Sequence, residues 1–468
     1  MSLDRYDALL AAKTYQAPAA GITFDPDLSG DLRPHQEAVC RFALRTGRSA
    51  AFLDTGLGKT LTGLEWARVV AETTGKRVLM LAPLAVGPQH QREAITFGID
   101  AEYIRVRADV WGLPQIVITN YERLGEWSDD LDQFAGVVLD ESSILKSFAG
   151  RQRTALINAF GSMLFRLAMT ATPAPNDHME LGNHAEFLGV MRSAEMLSRW
   201  FVNDTGTASQ KWRLKGHAAD AYWDWVASWA RCAELPSDVG GDDTGYVLPA
   251  LREHVIEVAA DRSTDAGADG AQDRLFRMPD LSATSVHAEK RLTLDARADA
   301  LAARVLAEPN EPWVVWVETN DEAEAMCERL PAAWEVRGSH TAEEKERRLH
   351  GFATGQVRVL VTKPRIAGFG LNWQHCARVG FVGLSFSYEA YYQAIRRCWR
   401  FGQTRPVDVH IAMADTERAI FEAITRKTTD HTALRTAMRA AMQRAGQAAD
   451  VRTPYTATQA MELPQWIH

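Results

Sequence analysis

The sequence predicts an α/β chain made of two doubly wound parallel-sheet units with a helical insertion between them. Short apolar runs alternate with segments of helical composition over the first 170 residues, the alternation lapses from about Leu181 to Ala250, and it returns between Trp313 and Ile411. Buried parallel strands joined by crossover helices leave this imprint in a sequence. A chain of 468 residues with 46% hydrophobic content also exceeds one ordinary core.

In order, the first unit (1–180) holds the strand-like runs Ala50-Ala51-Phe52-Leu53, Val78-Leu79-Met80-Leu81, Ile116-Val117-Ile118 and Val137-Val138-Leu139. Residues 181–286 read as helices followed by a connection, with Asp261 to Gln272 too rich in Asp, Gly and Ala to bury much. The second unit (287–435) holds Trp313 to Val317, Val357 to Val361, Val379 to Val382 and Val407 to Ile411, and 436–468 is a tail. No run approaches the roughly 20 apolar residues of a membrane span, and Met1-Ser2-Leu3-Asp4-Arg5 is not a leader pattern, so the expected address is the cytoplasm. The five cysteines are widely spaced and fit neither a disulfide framework nor a zinc site. A net charge of −8 gives no global attraction for a polyanion, so any nucleic-acid contact must be local.

Directly after Leu53 comes Asp54-Thr55-Gly56-Leu57-Gly58-Lys59-Thr60, then a helical segment. Glycines in such a loop let successive N–H groups converge on phosphate oxygens while the helix adds its positive end. Thr55, Gly56 and Gly58 then line the phosphates, Lys59 neutralises the β and γ phosphates, and Thr60 holds Mg²⁺. The strict pattern lacks its first glycine, since Leu53 stands there. Gly136-Val137-Val138-Leu139 ends in Asp140-Glu141, two carboxylates at a strand end where α/β ligands collect. Asp140 suits the metal and Glu141 the base that takes a proton from attacking water. Thr170 and Thr172 end a further strand and suit a position beside the phosphates, where they would couple the sites. Upstream, the amide of Gln36 both donates and accepts and so suits adenine.

In the second unit, Gln393, Arg396, Arg397 and Arg400 fall at i, i+3, i+4 and i+7 of an expected helix and form one polar face. Arginine's planar fork suits the charge of a transferring phosphoryl group, so such a face would aim its guanidinium groups at a neighbour's phosphates. Thr362 and Ala367-Gly368-Phe369-Gly370-Leu371-Asn372 follow another strand, with Gly370 letting backbone approach a ligand and Asn372 able to contact a sugar or phosphate. Trp200, Trp212, Trp223, Trp225 and Trp229 read as the packing of a small helical core rather than as base-stacking groups. Arg435 and Arg439 read as a solvated helix face, and Glu417, Glu422 and Lys427 as helix-surface charges rather than nuclease ligands.

The ordered set LRPHQ, DTGLGKT, LAPLAV, ITNYERL, VVLDES, MTATPAPN, AGFGLN and QAIRRCWRFGQ resembles superfamily-2 helicases, and within them the short phage and bacterial forms of Swi/Snf-like DEAD/DEAH-box ATPases. The resemblance spans roughly residues 30 to 415. It implies two RecA-like lobes, ATP and Mg²⁺ between them, Arg397 and Arg400 as the family's paired arginines, and Gln36 as its adenine contact. It further implies that Pro83, Asn120, Thr362 and Asn372 meet a nucleic-acid backbone, most naturally that of double-stranded DNA, with the chain acting as a monomer. Ser142-Ser143 depart from the family's usual Ala-His, and Arg396 stands where relatives often carry an acid. A translocating ATPase, a strand-separating helicase on DNA or RNA, and a slow nucleotide-dependent clamp all remain open on the sequence.

Overall fold

A computed structural model describes residues 16–84, 86–105, 112–147, 150–204, 211–260, 290–367 and 372–451. The leader reading of the first residues, the open connection at 261–272 and Gly370 lie outside these. The first half carries β1 (Arg48–Leu53), β2 (Arg77–Ala82), β3 (Ala101–Tyr103), β4 (Ile116–Asn120), β5 (Phe134–Asp140), β6 (Phe165–Met169), β7 (Phe201–Asp204), β8 (Lys211–Leu214) and β9 (Ala230–Ala233). Seven of these form one parallel sheet in the order β3-β4-β2-β5-β6-β1-β9, while β7 and β8 pair apart as an antiparallel hairpin. Helices α1 (Pro34–Thr46), α2 (Lys59–Thr74), α3 (Gly87–Thr96), α4 (Arg151–Phe160), α5 (Leu181–Leu188), α6 (Ser193–Trp200) and α7 (Ala219–Trp229) belong to this half.

The local reasons are plain in the residues. The interior strands β1, β2 and β5 are buried almost throughout, as expected of a sheet covered on both faces. Helix α1 opens with Pro34 in its first turn, where a missing N–H costs nothing. Helix α2 ends at Gly75, whose φ of 66° permits the left-handed cap that returns its N–H to the Ala71 carbonyl.

The second half contains β10 (Leu251–Val258), α8 (Leu294–Ala307), β11 (Trp313–Trp316), α9 (Asn320–Arg329), β12 (Trp334–Val336), α10 (Ala342–Ala353), β13 (Val359–Thr362), α11 (Pro364–Ala367), β14 (Arg378–Val382), α12 (Tyr388–Ile395), β15 (Val407–Ala414) and α13 (Arg418–Val451). Its six strands run parallel in the order β10-β15-β14-β11-β13-β12. Two parallel-sheet lobes with flanking helices thus match the expected fold class.

The expected helical insertion is not a separate layer. Trp225 and Trp229 are fully buried in the same core as Phe52 and Leu139, and β9 extends the first sheet beside β1. Sequence alternation misses β9 because Ala-Arg-Cys-Ala is four residues long and only weakly apolar. At the other boundary β10 already belongs to the second sheet. The 435/436 division also falls inside one continuous helix, since α13 carries Leu434, Met438 and Ala441 into the first lobe's core.

Candidate active site

The phosphate loop joins β1 to α2. Gly56 and Gly58 have φ of 94° and 77°, a left-handed backbone that favours glycine and curls successive N–H groups inward. A Cβ on Gly58 would meet Gln36 Nε2 at 1.8 Å, and one on Gly56 would meet Phe401 Cβ of the second lobe at 2.7 Å. Gln36 therefore braces the loop, its Nε2 donating to the Gly58 carbonyl at 3.4 Å while its Oε1 accepts from the Arg33 N–H at 2.8 Å. Each end of that amide makes one bond here and keeps one N–H and one oxygen lone pair for a further partner. Lys59 Nζ donates back to the Leu53 and Asp54 carbonyls at 2.9 and 3.4 Å. Burial lowers its pKa, against the pull of Glu141, Asp140 and Asp54. Thr55 donates its N–H to the Asp54 carboxylate at 2.6 Å, and Thr60 stands in the first turn of α2.

Two strands away, β5 delivers Asp140 and Glu141, with β6 lying between β5 and β1. Asp140 Oδ2 meets His90 Nε2 of α3 at 2.8 Å, and its carbonyl accepts the Tyr121 hydroxyl at 2.6 Å. Burial works against the charge on Asp140, yet His90 and Lys59 outweigh it and hold the pKa below the ordinary value. His90 is itself raised: burial opposes its protonation but Asp140 wins. This histidine carried no sequence signal, because its partner lies 50 residues away.

Glu141 has a φ of 54°, unusual for a residue with a Cβ and a backbone form that collects at functional sites. Its Oε2 accepts from the Thr170 hydroxyl at 3.3 Å, and Thr170 Oγ1 also accepts the Thr172 N–H at 3.1 Å. Burial, with Asp140 and Glu389 adding to it against Lys59 and Arg397, pushes the Glu141 pKa up to about 7. A carboxyl held near the working pH is what general-base catalysis favours. Ser143, at the position of the family's usual histidine, is buried with its hydroxyl 3.5 Å from the Glu141 carbonyl, and Ser142 meets His184 at 3.1 Å.

The second lobe closes over these groups, but not by the expected helical stripe. Helix α12 ends at Ile395, and Arg396 to Gln403 follow as tight turns. The Arg397 carbonyl is taken by the Trp373 N–H at 2.9 Å, and Gly402 turns the chain at φ 90°. Arg396 reaches the Asp54 carboxylate beside the phosphate loop at 2.5 Å. Arg397 is almost fully buried and bonds Gln393 Oε1 at 3.1 Å. Burial first, then Arg400, lowers its pKa to about 9, while Glu141 opposes this from across the cleft, so it stays cationic at neutral pH. Arg400 is half-buried, lowered to about 10 by burial with Glu93 and Asp54 opposing. Lys146 and Glu389 add an ion pair across the lobes.

Of the expected nucleic-acid contacts, two are committed inside. Asn120 is fully buried between the Tyr103 hydroxyl at 2.6 Å and the Ala82 carbonyl at 3.3 Å, and Thr362 donates to the Val336 carbonyl at 3.1 Å. Neither side chain reaches solvent, so the expectation of direct contact through them fails in this structure. Pro83 is half-buried beside an exposed Leu84, and Asn372 is exposed. The predicted solvated face at Arg435 is also corrected. Arg435 is buried against Asp54 and Glu234, and Glu417 is buried against Arg297 rather than on a helix surface.

The oxygen donors Thr60 and Asp140, with Lys59 between the loop and both carboxylates, fit a hard divalent cation bound together with a nucleotide triphosphate. A family model described as DEAD/DEAH box helicase matches residues 33–181, and one described as helicase conserved C-terminal domain matches residues 296–402. Among solved structures, the fragment structure assigned to an HsdR subunit of a type I restriction enzyme from Vibrio vulnificus YJ016 aligns with a TM-score of 0.52 at 17% identity. The alignment covers 85% of this chain and 66% of that one, slightly under two thirds of its length, and at this identity it speaks to the fold alone. Among curated proteins no match is found.

Proposed function

Because the chain belongs to the superfamily-2 helicases, whose two domains make it a nucleic-acid-dependent ATPase, we propose that it is a Swi/Snf-like motor that translocates on double-stranded DNA. It acts as a monomer in the cytoplasm. The observation that carries the reading is the composite cleft: Lys59, Asp140 and Glu141 come from the first lobe and Arg397 from the turn after α12 in the second, and the charges of Glu141 and Arg397 are felt across it.

When nucleotide enters, Lys59 exchanges its carbonyl partners for phosphate oxygens. Thr60 and Asp140 would hold Mg²⁺, which would supply neutralisation of phosphate charge. His90 orients the Asp140 carboxylate toward that task. Glu141 accepts the proton of the attacking water, and Arg397 and Arg400 stabilise charge on the transferring group. Thr170 bonds the base at one end and Thr172 at the other, so a shift of Glu141 is passed to β6. Gln36 would meet adenine with the second N–H of its Nε2 and the remaining lone pair of its Oε1 while still holding the Gly58 carbonyl and the Arg33 N–H. Pro83 and Asn372 are the proposed DNA contacts. With a net charge of −8 such contacts are local, and they position the protein without reading sequence.

Triplex displacement tests the translocation reading. The protein with ATP and Mg²⁺ should strip a third strand from a duplex while leaving the duplex paired. Strand separation in place of triplex displacement would transfer the reading to an unwinding helicase.

A further inference from the structure

The cleft contains a second group of charges that hydrolysis does not use. Asp54, the last residue before the phosphate loop, is 5% exposed. Its Oδ2 meets Arg396 Nη2 at 2.5 Å and Arg435 Nη1 at 3.4 Å, and its Oδ1 accepts the Tyr392 hydroxyl at 2.5 Å. These partners come from the end of α12 and the middle of α13, more than 330 residues along the chain. Arg396 lies 4.3 Å from the Trp399 ring centroid, and Arg435 continues to Glu234 at 3.2 Å. One turn on, Arg439 reaches Glu234 at 3.0 Å and Asp238 at 3.4 Å. The acids all stand on the first lobe. The bases stand on the second lobe and on the helix that returns from it.

We propose that Asp54, Arg396 and Arg435 form an interlobe latch in which Asp54 and Arg396 are positioning residues that set Arg397 against the phosphate site. The proposal rests on the ATPase reading above for its catalytic consequence. The same Asp54 carboxylate that holds Arg396 also accepts the Thr55 N–H at 2.6 Å, so one group ties the phosphate loop to the opposite half-site. Arg396 immediately precedes Arg397, and its N–H bonds the Tyr392 carbonyl at 3.0 Å, so holding its guanidinium fixes the turn that presents Arg397. Burial opposes the Asp54 charge, yet Arg396 and Arg435 outweigh it and keep the carboxyl ionised well below the usual carboxylate range. A buried charge deprived of its partner is strongly unfavourable, so the lobes separate here only by letting water in. Helix α13 supports this contact by running from the second sheet into the first lobe's core. The latch therefore closes the cleft before nucleotide arrives.

The test uses the full chain with Asp54→Asn and Arg396→Gln, singly and together. Asparagine keeps an oxygen for Tyr392 and Thr55 but turns a donor toward Arg396. Each single variant should lower kcat by about 10²-fold, the scale of a misplaced catalytic group, with KM for ATP moving by less than about threefold. The double variant should be no slower than the slower single one, because both break the Asp54–Arg396 contact. Losses that multiply, or wild-type kcat in either single variant, overturn the proposal. Small-angle scattering of the nucleotide-free chain supplies an arm that needs no turnover: both variants should show a larger radius of gyration than wild type, and an equal radius overturns the latch even if the chain proves to be no ATPase. Where a variant does not fold, Arg396→Lys replaces it, keeping the charge and losing the fork; reduced kcat supports the latch and wild-type kcat overturns it.

Discussion

Replacing Glu141 by glutamine removes the proposed base while keeping its shape, its place at φ 54° and an oxygen for Thr170. Loss of a general base lowers turnover by about 10² to 10⁴-fold, whereas ATP affinity should hold because Lys59 and the loop are untouched. The structure adds a pH signature. With the free-enzyme carboxyl near 7, about a tenth of it is ionised at pH 6 and about nine tenths at pH 8, so wild-type kcat/KM should rise roughly tenfold between them. Stability moves the other way. The folded pKa of Glu141 is raised above its unfolded value, so between about 4.5 and about 7 the folded chain keeps a proton that the unfolded chain has released, and stability falls as pH rises through that window. Glu141→Gln should therefore be more stable than wild type at pH 8, with the difference closing near pH 4. Steady-state ATPase profiles and urea denaturation at several pH values check both. A variant that hydrolyses ATP at the wild-type rate, or one that fails to bind nucleotide, refutes the assignment.

Lys59→Ala should abolish hydrolysis while DNA binding persists, read by phosphate release beside filter binding; normal turnover would remove the lysine from the site. Arg397→Ala should lower kcat by about 10³-fold or more with a much smaller change in nucleotide affinity, on the scale of arginine fingers. Equal losses in affinity and rate would make it a ground-state contact. Arg297 is fully buried and bonds the Val382 carbonyl at 2.8 Å, Glu322 at 3.1 Å and Glu417 at 3.4 Å. Its replacement by alanine strands two buried acids and should cost about 3 to 5 kcal/mol in denaturation, and a loss under about 1 kcal/mol would mean that water compensates them.

The phosphate loop, the acid pair and Thr170 were legible because each follows an apolar run, and the end of a parallel strand is where such residues meet a ligand. The arginine segment was legible in composition but not in phase. Nothing local announces that α12 stops at Ile395, nor that beyond it the Trp373 N–H takes the Arg397 carbonyl and Gly402 turns the chain. Asn120 and Thr362 show the same limit from the other side: the sequence puts them at strand ends, while burial between neighbouring strands decides that they face inward. The tryptophans at 225 and 229 read as core from the sequence, but whose core they fill is a matter of tertiary packing. His90 on Asp140 and Arg435 on Asp54 lie beyond any local pattern, being separated by 50 and 381 residues.

ATP turnover of the full chain, measured with duplex DNA, with single-stranded DNA, with RNA and with no nucleic acid, is the direct test of a proposed two-lobe motor whose hydrolysis answers to duplex DNA. Such a motor should turn over slowly alone and be strongly stimulated by duplex at low salt, the stimulation fading as salt screens the phosphate contacts. Turnover that is the same with and without nucleic acid, or that responds to RNA and not to duplex DNA, would contradict it.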